Sequence, residues 1–325
     1  MSDVSATAIS NVLASIYRSV DVSIINSIAD LNNLILRQPD LVFTGMKYLP
    51  GDTPGQKIWL AGYLEQHRIS HTGSAISAIK FEQDKPQSKR VIIDAGLSSS
   101  KYLVIKAGRR ASKDALELSF PLFVKPTNLG AGAGIDANSI VWNVAELNAK
   151  TKALYVDRSA DSLVEEYLPG REFSVGVLKQ EFSENYMVMP IEMLPGPNTN
   201  GERIISGELK SAKLETPVSA VTEPLLRDKL SALALQSFIA LGARDYGRID
   251  IRLDAKGIPN FLEANLIPGL IKDSGNFQKA CLINLNMPYK EMILHITRLG
   301  LARQSKLLAV HETQAFNRAL SPVSV

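Results

Sequence analysis

Residues 247–269 read GRIDIRLDAKGIPNFLEANLIPG, and this segment is the most informative part of the chain. Apolar and polar residues alternate on each side of DAKG (254–257), and period-two alternation is typical of strands with one buried face. Two such strands joined by a short turn rich in aspartate and glycine form an antiparallel hairpin. We therefore predict a hairpin with Arg248, Asp250 and Arg252 on one face of its first strand.

The second strand of this hairpin carries Glu263 and Asn265 on the face that it shares with Phe261. If the turn is Asp254–Gly257, Asp250 lies opposite Phe261 and Glu263 lies on the adjacent diagonal. Cross-strand diagonals are about 7–8 Å apart, which lets two carboxylates share a cation. Carboxylate and amide oxygens are ligands that Mg²⁺ prefers, with phosphates completing its shell. The pattern is compatible with a metal site, but taken alone it is more typical of the solvated face of an ordinary amphipathic hairpin.

The sequel NLIPGL (265–270) favours the metal site over that alternative. A turn at Pro268 and Gly269 would place backbone N–H groups beside the metal, where they can stabilise a developing oxyanion or a carboxylate. Arg248, on the ligand face two residues before Asp250, could hold a second anion. Taken by itself, the proline–glycine pair is equally compatible with an ordinary turn.

The composition excludes several classes of protein. The 325 residues are 45% hydrophobic and 21% charged, and 36 basic against 33 acidic residues give a net charge of +3. This balance, without a dense basic run, argues against a nucleic-acid-binding protein. No apolar run is long enough to cross a membrane, the N-terminus lacks the basic residues of a secretory signal, and a single cysteine, Cys281, excludes a disulfide framework. We therefore expect a cytoplasmic protein with neither a membrane nor a nucleic-acid partner.

Helix and strand patterns divide the chain into three regions. Residues 1–80 alternate helical and strand-like stretches and are predicted to form a small N-terminal α/β lobe. Residues 81–168 form the second region, which begins with the helical DKPQSKRVIIDAG (84–96) and continues with strands that include FPLFVKP (120–126). Residues 169–325 form the third region, which carries further strands, a long amphipathic helix and the hairpin.

Lys125 and the glycines that follow it are the first candidates for nucleotide binding. Lys125 ends the predicted buried strand FPLFVKP, where a lysine can either face a cleft or reach out to solvent. NLGAGAGI (128–135) then has three glycines in alternation, which suit a flexible backbone flap over phosphates. This segment is neither a Walker loop nor a G-x-G-x-x-G fingerprint, so the signal is weak by itself.

The strand VEEYL (164–168) is the second candidate. It places Glu165 and Glu166 in otherwise apolar surroundings, and one of the two could simply face water. In the functional interpretation the strand recognises adenine with its backbone, and Glu172 accepts hydrogen bonds from the ribose hydroxyls.

These segments together resemble one known family. FPLFVKP, LVEEYLPGREFSVGVL and YGRIDIRLDAKGIPNFLEANLIPG, with the helix before the last of them, are similar to the ATP-grasp core of D-alanine–D-alanine ligases. HTGSAISAIKFEQDKPQSK (71–89) resembles the segment in which that family has TGS, a helix, then DK and a second lysine. The similarity extends from about Leu41 to the predicted helix at 289–300. It implies an α/β fold of the ATP-grasp (α+β) class, with a small N-terminal lobe and a two-lobed core of antiparallel sheets.

The resemblance also implies roles for residues on the nucleotide side. Lys85 and Lys125 would contact the phosphates of ATP. Lys210 in GELKSAK would be a further lysine for phosphate binding and catalysis, with Lys213 as its rival. The adenine would be bound by one strand, in which Glu165 meets the amino group and Leu168 offers its backbone, and Glu172 would bind the ribose. The residues of that strand are Glu165, Glu166, Tyr167 and Leu168.

On the catalytic side, the resemblance implies two Mg²⁺ or Mn²⁺ ions held by the predicted metal ligands, Asp250, Glu263 and Asn265. Arg248 and the N–H group of Gly269 would stabilise the transferring oxyanion. Ser274 matches the position that binds the carboxylate of the acceptor.

The departures from the family lie on the substrate side. The flap NLGAGAGI contains no serine, whereas the family's flap has serines that touch phosphate and substrate. Residues 1–40 contain no counterpart of the family's N-terminal glycine-rich loop, or of the glutamate that anchors the ammonium of the first amino acid. We therefore expect a shortened N-terminal lobe and a different substrate pair from that of a strict D-alanine–D-alanine ligase.

From this resemblance we expect an ATP- and Mg²⁺-dependent ligase that joins a carboxylate and an amine. ATP would phosphorylate the carboxylate, and the amine would displace phosphate from the acyl phosphate to form an amide or peptide bond. Both substrates would be small molecules, with amino acids expected, and the chain could assemble as a homodimer. Two alternatives stay open, a true D-alanine–D-alanine ligase and an ATP-binding regulatory protein that has lost catalysis.

Overall fold

The computed structural model describes residues 1–53, 55–112, 116–130, 132–197 and 216–319, with side chains as far as Gln304. The helices in this part of the chain are α1 (Asp3–Ala14), α2 (Ile28–Leu36), α3 (Leu60–Gln66), α4 (Ile76–Ile79), α5 (Lys85–Asp94), α6 (Val144–Arg158), α7 (Pro224–Ala240), α8 (Asn276–Leu285) and α9 (Tyr289–Ala319). The strands are β1 (Tyr48–Pro50), β2 (Lys57–Trp59), β3 (Tyr102–Ile105), β4 (Leu122–Pro126), β5 (Ile140–Val141), β6 (Ser162–Glu166), β7 (Glu172–Lys179), β8 (Tyr186–Met193), β9 (Val218–Ala220), β10 (Tyr246–Leu253) and β11 (Pro259–Asn265). None of the described helices combines the length and the apolar character that a membrane span requires.

These strands form three sheets whose pairs are all antiparallel. The N-terminal hairpin consists of β1 and β2, the central sheet has the order β3-β6-β4-β5, and the C-terminal sheet has the order β11-β10-β7-β8-β9. The predicted mixed α/β architecture with antiparallel sheets is thus confirmed. Residues 167–171 connect the central sheet to the C-terminal sheet, because β6 belongs to the former and β7 to the latter.

One face of the C-terminal sheet packs against α7. Phe173 and Val175 of β7 and Ile249 and Ile251 of β10 alternate along their strands and meet the buried leucines of α7, and the side chain of Phe173 is completely buried. Burial of side chains of this size contributes roughly 1.5–3 kcal/mol each, so this layer is a major source of stability. The apolar residues predicted for the buried face of the first hairpin strand do lie there.

The opposite face of the same sheet is shared between a core and a cleft. Leu178 and its cross-strand partner Tyr246 are buried in a cluster with residues of α8 and α9. Further along the two strands, on the same face, Ser174 pairs with Asp250, and both side chains reach a cleft. One pair of strands therefore runs from a helix-covered core into the candidate site, which gives the polar side chains a rigid support.

The single cysteine lies in the core on this face. Cys281 of α8 is completely buried, and this burial raises the pKa of its thiol to about 12. A thiol with such a pKa carries almost no thiolate at neutral pH, so Cys281 is a structural residue.

The register of the β10–β11 hairpin differs from the predicted one. Leu253 pairs with Pro259, and Asp250 pairs with Glu263 directly, not with Phe261. The predicted register was wrong because the partner of Asp250 lies two residues further along the chain than the prediction assumed. One of these two additional residues lies in the longer loop, which the Asp254 N–H closes on the carbonyl of Ile258, and the other is Leu262 in a β-bulge.

Candidate functional site

A cleft of about 700 Å³ lies between the central and C-terminal sheets. Its volume is in the range of a small-molecule site. Most of the described candidate residues line this cleft, namely Lys85, Lys125, Glu165, Glu166, Tyr167, Leu168, Glu172, Arg248, Asp250, Glu263 and Ser274. The fold therefore brings together segments that are more than half of the chain apart in sequence, as are Lys85 and Ser274.

Asp250 is the centre of a polar network on the wall formed by the C-terminal sheet. Its two carboxylate oxygens each accept a hydrogen bond of 2.9 Å from Arg248, whose Nε and Nη2 form a bidentate pair with it. Ser174 Oγ donates to the carboxylate at 2.8 Å, and Asn265 Nδ2 donates at 3.0 Å. Burial alone would lower the pKa of Arg248, but Asp250 outweighs that effect and raises it. The result is a fixed cation and a fixed carboxylate at the same place in the cleft.

Glu263 lies directly opposite Asp250 and faces the cleft. Its side chain is 30% exposed, and its Oε2 lies 3.9 Å from the Nζ of Lys85. Directly opposed side chains on antiparallel strands have Cβ atoms about 4.5–5.5 Å apart, so the two carboxylates are neighbours. The β-bulge at Leu262 permits this arrangement, because it lets Glu263 face the cleft although Phe261 points into the core.

The oxygen-rich set formed by Asp250, Glu263 and Asn265 fits a hard divalent cation by its chemistry. Within the described part of the chain, no group of three or more histidine, cysteine, aspartate or glutamate side chains gathers around a common point. A cation here would therefore use two carboxylates and an amide oxygen from the protein. The remaining ligands would be water or phosphate, as is usual for Mg²⁺.

On the wall formed by the central sheet, Glu165 is a buried carboxylate between two lysines. Its Oε1 lies 2.5 Å from Lys89 Nζ, and its Oε2 lies 2.7 Å from Lys125 Nζ. Burial alone would raise the pKa of Glu165, but Lys125 and Lys89 together lower it to about 2. Glu165 is therefore ionised at neutral pH and can accept a hydrogen bond from a ligand.

Lys89 is a site residue to which the sequence motifs assigned no role. It is completely buried and lies one helical turn after Lys85 on α5, with Ile92 on the same inward face. A lysine that shares the buried face of a helix with an isoleucine is unusual, and this spacing could have identified it.

Lys85 connects the glycine-rich segment to the hairpin. Its Nζ donates to the carbonyl of Leu129 at 2.5 Å and lies near Glu263. Burial lowers its pKa, and Glu263 counteracts this effect only in part. In the glycine-rich segment, Gly134 has a φ of +79°, and a Cβ there would lie 2.7 Å from the ring of Pro126. Glycine is required at this position for both conformation and space.

The strand predicted to recognise adenine has two of its backbone N–H groups already in use. Glu166 N–H donates to the carbonyl of Lys101 at 3.0 Å, and Tyr167 N–H donates to the carbonyl of Pro121 at 3.1 Å. A backbone N–H donor for a base at this end of the strand would therefore have to come from Leu168, which lines the cleft.

Glu172, the predicted ribose ligand, is oriented by Arg252. Arg252 Nη1 donates to Glu172 Oε2 at 3.0 Å, and its guanidinium lies 5.4 Å from the centre of the Tyr167 ring. The arginine thus connects the predicted ribose ligand to the predicted adenine strand.

The two remaining described candidates line different cavities, although the neighbour of Ser274, Gly275, packs against the backbone of Gly269. Ser274 lines the cleft, whereas Gly269 lines a second cavity of about 580 Å³ that includes residues 44–48 and shares Ser2 and Ile271 with the cleft. The turn is held by the N–H of Ile267, which donates to a Glu82 carboxylate oxygen at 2.8 Å. The lysines Lys210 and Lys213 lie outside the described residues.

Comparison with known proteins gives consistent matches. Residues 91–297 match the protein family described as D-ala D-ala ligase C-terminus. An uncharacterized protein of Sinorhizobium fredii, y4sG, is 30% identical over 210 residues, which are 64% of this chain and 60% of that protein. The D-alanine–D-alanine ligase of Ralstonia nicotianae is 31% identical over 218 residues, which are 66% of this chain and 63% of that enzyme. This chain thus spans less than two thirds of the length of either relative.

Among solved structures, a D-alanine–D-alanine ligase from Bacillus anthracis complexed with ATP superimposes with a TM-score of 0.71. The match covers 94% of this chain and 96% of that one, at 19% sequence identity. A likeness at this identity shows that the two chains share a fold.

Proposed function

Since the chain belongs to the D-alanine–D-alanine ligase family of ATP-grasp ligases, we propose that it uses ATP and Mg²⁺ to join a carboxylic acid to an amine through an acyl phosphate. The supporting observation is the composition of the cleft walls. One sheet contributes Lys125 and Glu165, and the other contributes Arg248 and the facing carboxylates Asp250 and Glu263. Fixed cations opposite a pair of carboxylates suit a nucleotide phosphate chain with its metal.

ATP lies, in this proposal, with its adenine against residues 165–168 and its phosphates toward Lys85 and Lys125. Glu165 accepts from the adenine amino group, because its two lysines keep it ionised. Glu172 accepts from a ribose hydroxyl, and Arg252 keeps its carboxylate in position. The related structure from B. anthracis is a complex with ATP, which supports the assignment of the nucleotide. The role of Lys210 stays a prediction.

Asp250, Glu263 and Asn265 would hold the metal. Bound Mg²⁺ would neutralise phosphate charge and favour transfer of the γ-phosphoryl group. Arg248 and Ser174 fix the orientation of the Asp250 carboxylate before any ligand arrives, which reduces the reorganisation needed on binding. Asn265 would contribute its amide oxygen to the metal, and its amide nitrogen donates to Asp250.

The reaction proceeds in two steps. A carboxylate oxygen of the acid attacks the γ-phosphorus, and ADP leaves. The amine nitrogen then attacks the acyl carbon, phosphate leaves, and one amine proton is released. Arg248 and the Gly269 N–H stabilise the oxyanion that forms in the second step. Ser274 binds the carboxylate of the acceptor, which suits an amino acid as the amine substrate.

We infer that the substrate pair differs from two D-alanines. Residues 1–40 contain no glycine, and the described structure there consists of α1 and α2 with irregular connections. A glycine-rich loop with an ammonium-binding glutamate is therefore missing from this part of the chain. An ammonium group is stabilised by a nearby carboxylate, so this change alters which acid is accepted.

A release assay for ADP tests the proposal. Purified protein, ATP and Mg²⁺ are combined with panels of carboxylic acids and amino acids, and mass spectrometry identifies the product. We expect ADP formation that requires both an acid and an amine, with a product that contains both. Absence of stimulated turnover across broad panels would contradict a ligase function.

A second candidate is an ATP-binding regulatory protein without catalysis. The serine-free segment 128–135 favours it, because no hydroxyl there can contact phosphate or substrate. Nucleotide binding without ADP formation is the outcome expected for this function. ADP formation that Glu263→Gln abolishes would exclude it.

A further inference from the structure

The two lysines that pair with Glu165 have different surroundings. Lys89 Nζ lies 2.5 Å from Glu165 and also donates to Ser99 Oγ at 2.8 Å, Ser100 Oγ at 2.9 Å and the carbonyl of Phe261 at 3.3 Å. It is completely buried and does not belong to the residues that line the cleft. An ammonium has three N–H donors, so these four acceptors saturate Lys89.

The two serines complete this arrangement. Ser100 Oγ donates to Glu165 at 3.2 Å, and Ser99 Oγ donates to the Phe261 carbonyl at 3.2 Å. Each serine therefore accepts from Lys89 and donates to one of its other partners. Because Phe261 belongs to β11 and Glu165 to β6, Lys89 also links the two sheets beside the cleft. A change of partner by Lys89 would break several buried hydrogen bonds at once.

Lys125, in contrast, lies at the cleft wall. Its Nζ is 2.7 Å from the other oxygen of Glu165, and the residue lines the cleft. Burial alone would lower its pKa, but Glu165 raises it, so Lys125 is charged at neutral pH. Two lysines and one carboxylate leave one positive charge in excess. That excess charge is available to a ligand only through the lysine that borders the cleft.

We propose that Lys89 is a positioning residue that serves as the permanent counterion of Glu165 and thereby lets Lys125 exchange Glu165 for a nucleotide phosphate. When Lys125 moves, Glu165 keeps one ion pair and the Ser100 hydrogen bond. If Lys125 were the last counterion of the buried Glu165 carboxylate, its departure would leave an unpaired buried charge at a high cost in free energy. Without Lys89, Lys125 would be held on Glu165. This inference rests on the proposed nucleotide site.

The test compares the affinities of ADP and adenosine, which differ in the phosphates that Lys125 would bind. Calorimetry gives the affinity of ADP, and a titration followed by NMR gives the weaker affinity of adenosine. In Lys89→Met we expect ADP affinity to fall about tenfold or more, and adenosine affinity to stay within about twofold. A purely structural role of Lys89 would weaken both ligands alike, and that result would overturn the proposal. Arg90→Met is the matched control, because Arg90 is an exposed neighbour on α5 paired with Asp94.

A second pair of variants keeps the test independent of any folding defect in Lys89→Met. Glu165→Gln removes the charge that would hold Lys125, so Lys89→Met in that background should change the ratio of ADP to adenosine affinity by less than about threefold. A tenfold drop in this background would refute the proposal.

If the wild-type chain binds ADP no better than adenosine, the proposed nucleotide site fails as well. If it prefers ADP and Lys89→Met keeps that preference, only the role of Lys89 fails.

Discussion

Asp250 lies directly opposite Glu263 across the β10–β11 ladder, and the β-bulge at Leu262 brings Glu263 to the cleft face. The two carboxylates are therefore first neighbours at the cleft, closer than the diagonal arrangement that the alternation predicts. Asp250 is also tied to three other side chains, whereas Glu263 is partly exposed. This difference separates the expected effects of the two substitutions.

Glu263→Gln is expected to abolish ADP formation, with a loss of about 100-fold or more, and to leave the unfolding midpoint nearly unchanged. Asp250→Asn should abolish ADP formation as well. It should also destabilise the fold by about 1–3 kcal/mol, because the partly buried Arg248 loses its anionic partner. Turnover across a Mg²⁺ titration and thermal unfolding measure the two effects. Near-normal turnover of either variant at saturating Mg²⁺ would contradict the metal assignment.

Ser174→Ala is expected to raise the Mg²⁺ concentration needed for half-maximal ADP formation. Ser174 Oγ donates to Asp250 at 2.8 Å, and a hydrogen bond to a charged group contributes about 1.5–3 kcal/mol. Its loss should loosen the orientation of the carboxylate, which Arg248 and Asn265 still hold. Ser219→Ala on β9 is the matched control, since Ser219 lies in the same sheet and outside the cleft lining. An equal Mg²⁺ dependence in both variants would show that Ser174 does not orient the metal ligand.

Glu165 is expected to make the protein sensitive to acid. Its pKa in the folded protein is lowered from 4.5 to about 2, in spite of burial, by Lys125 and Lys89. A carboxylate with a lowered pKa stabilises the fold fully above pH 4.5, and this contribution is lost as the pH falls toward 2. Between pH 7 and pH 3 the loss should be on the order of 2 kcal/mol.

Urea unfolding at the two pH values measures this loss. Glu165→Gln lacks the titrating group and should lose correspondingly less stability over the same interval, although it is less stable than the wild type at pH 7. Other carboxylates contribute equally to both proteins and cancel in the comparison. Identical pH dependence of the two proteins would show that Glu165 titrates normally.

Arg252→Met is expected to raise the KM for ATP by about three- to tenfold, which corresponds to the net value of one hydrogen bond. Arg252 holds Glu172 by a bond of 3.0 Å, and Glu172 is the proposed ribose ligand. The discrimination between ATP and 3′-deoxy-ATP should decrease at the same time, because a misplaced Glu172 carboxylate no longer accepts a hydrogen bond from the ribose 3′-hydroxyl. An unchanged discrimination with a raised KM would indicate that Arg252 supports the cleft without orienting a ribose ligand.

Much of the site was predictable from local patterns. The faces of the first hairpin strand follow from its alternation, because successive side chains of a strand point to opposite sides whatever surrounds them. Ile249 and Ile251 accordingly lie in the core, and Asp250 lies at the cleft. Lys125 and the strand that contains Glu165 were each predicted as candidates for nucleotide binding, and the structure brings both residues to the same cleft.

Local patterns were thus sufficient to predict which residues face the cleft from regular strands, and the resemblance was sufficient to predict the family. How those residues are paired could be learned only from the folded chain. Three features depend on contacts between segments that are distant in the chain. They are the β-bulge at Leu262, the ion pair between Lys89 and Glu165, and the position of Gly269 in a second cavity. Periodicity reports the direction of a side chain relative to its own strand or helix. A register shift or a buried ion pair is set by the packing of one element against another, and no local pattern contains that information.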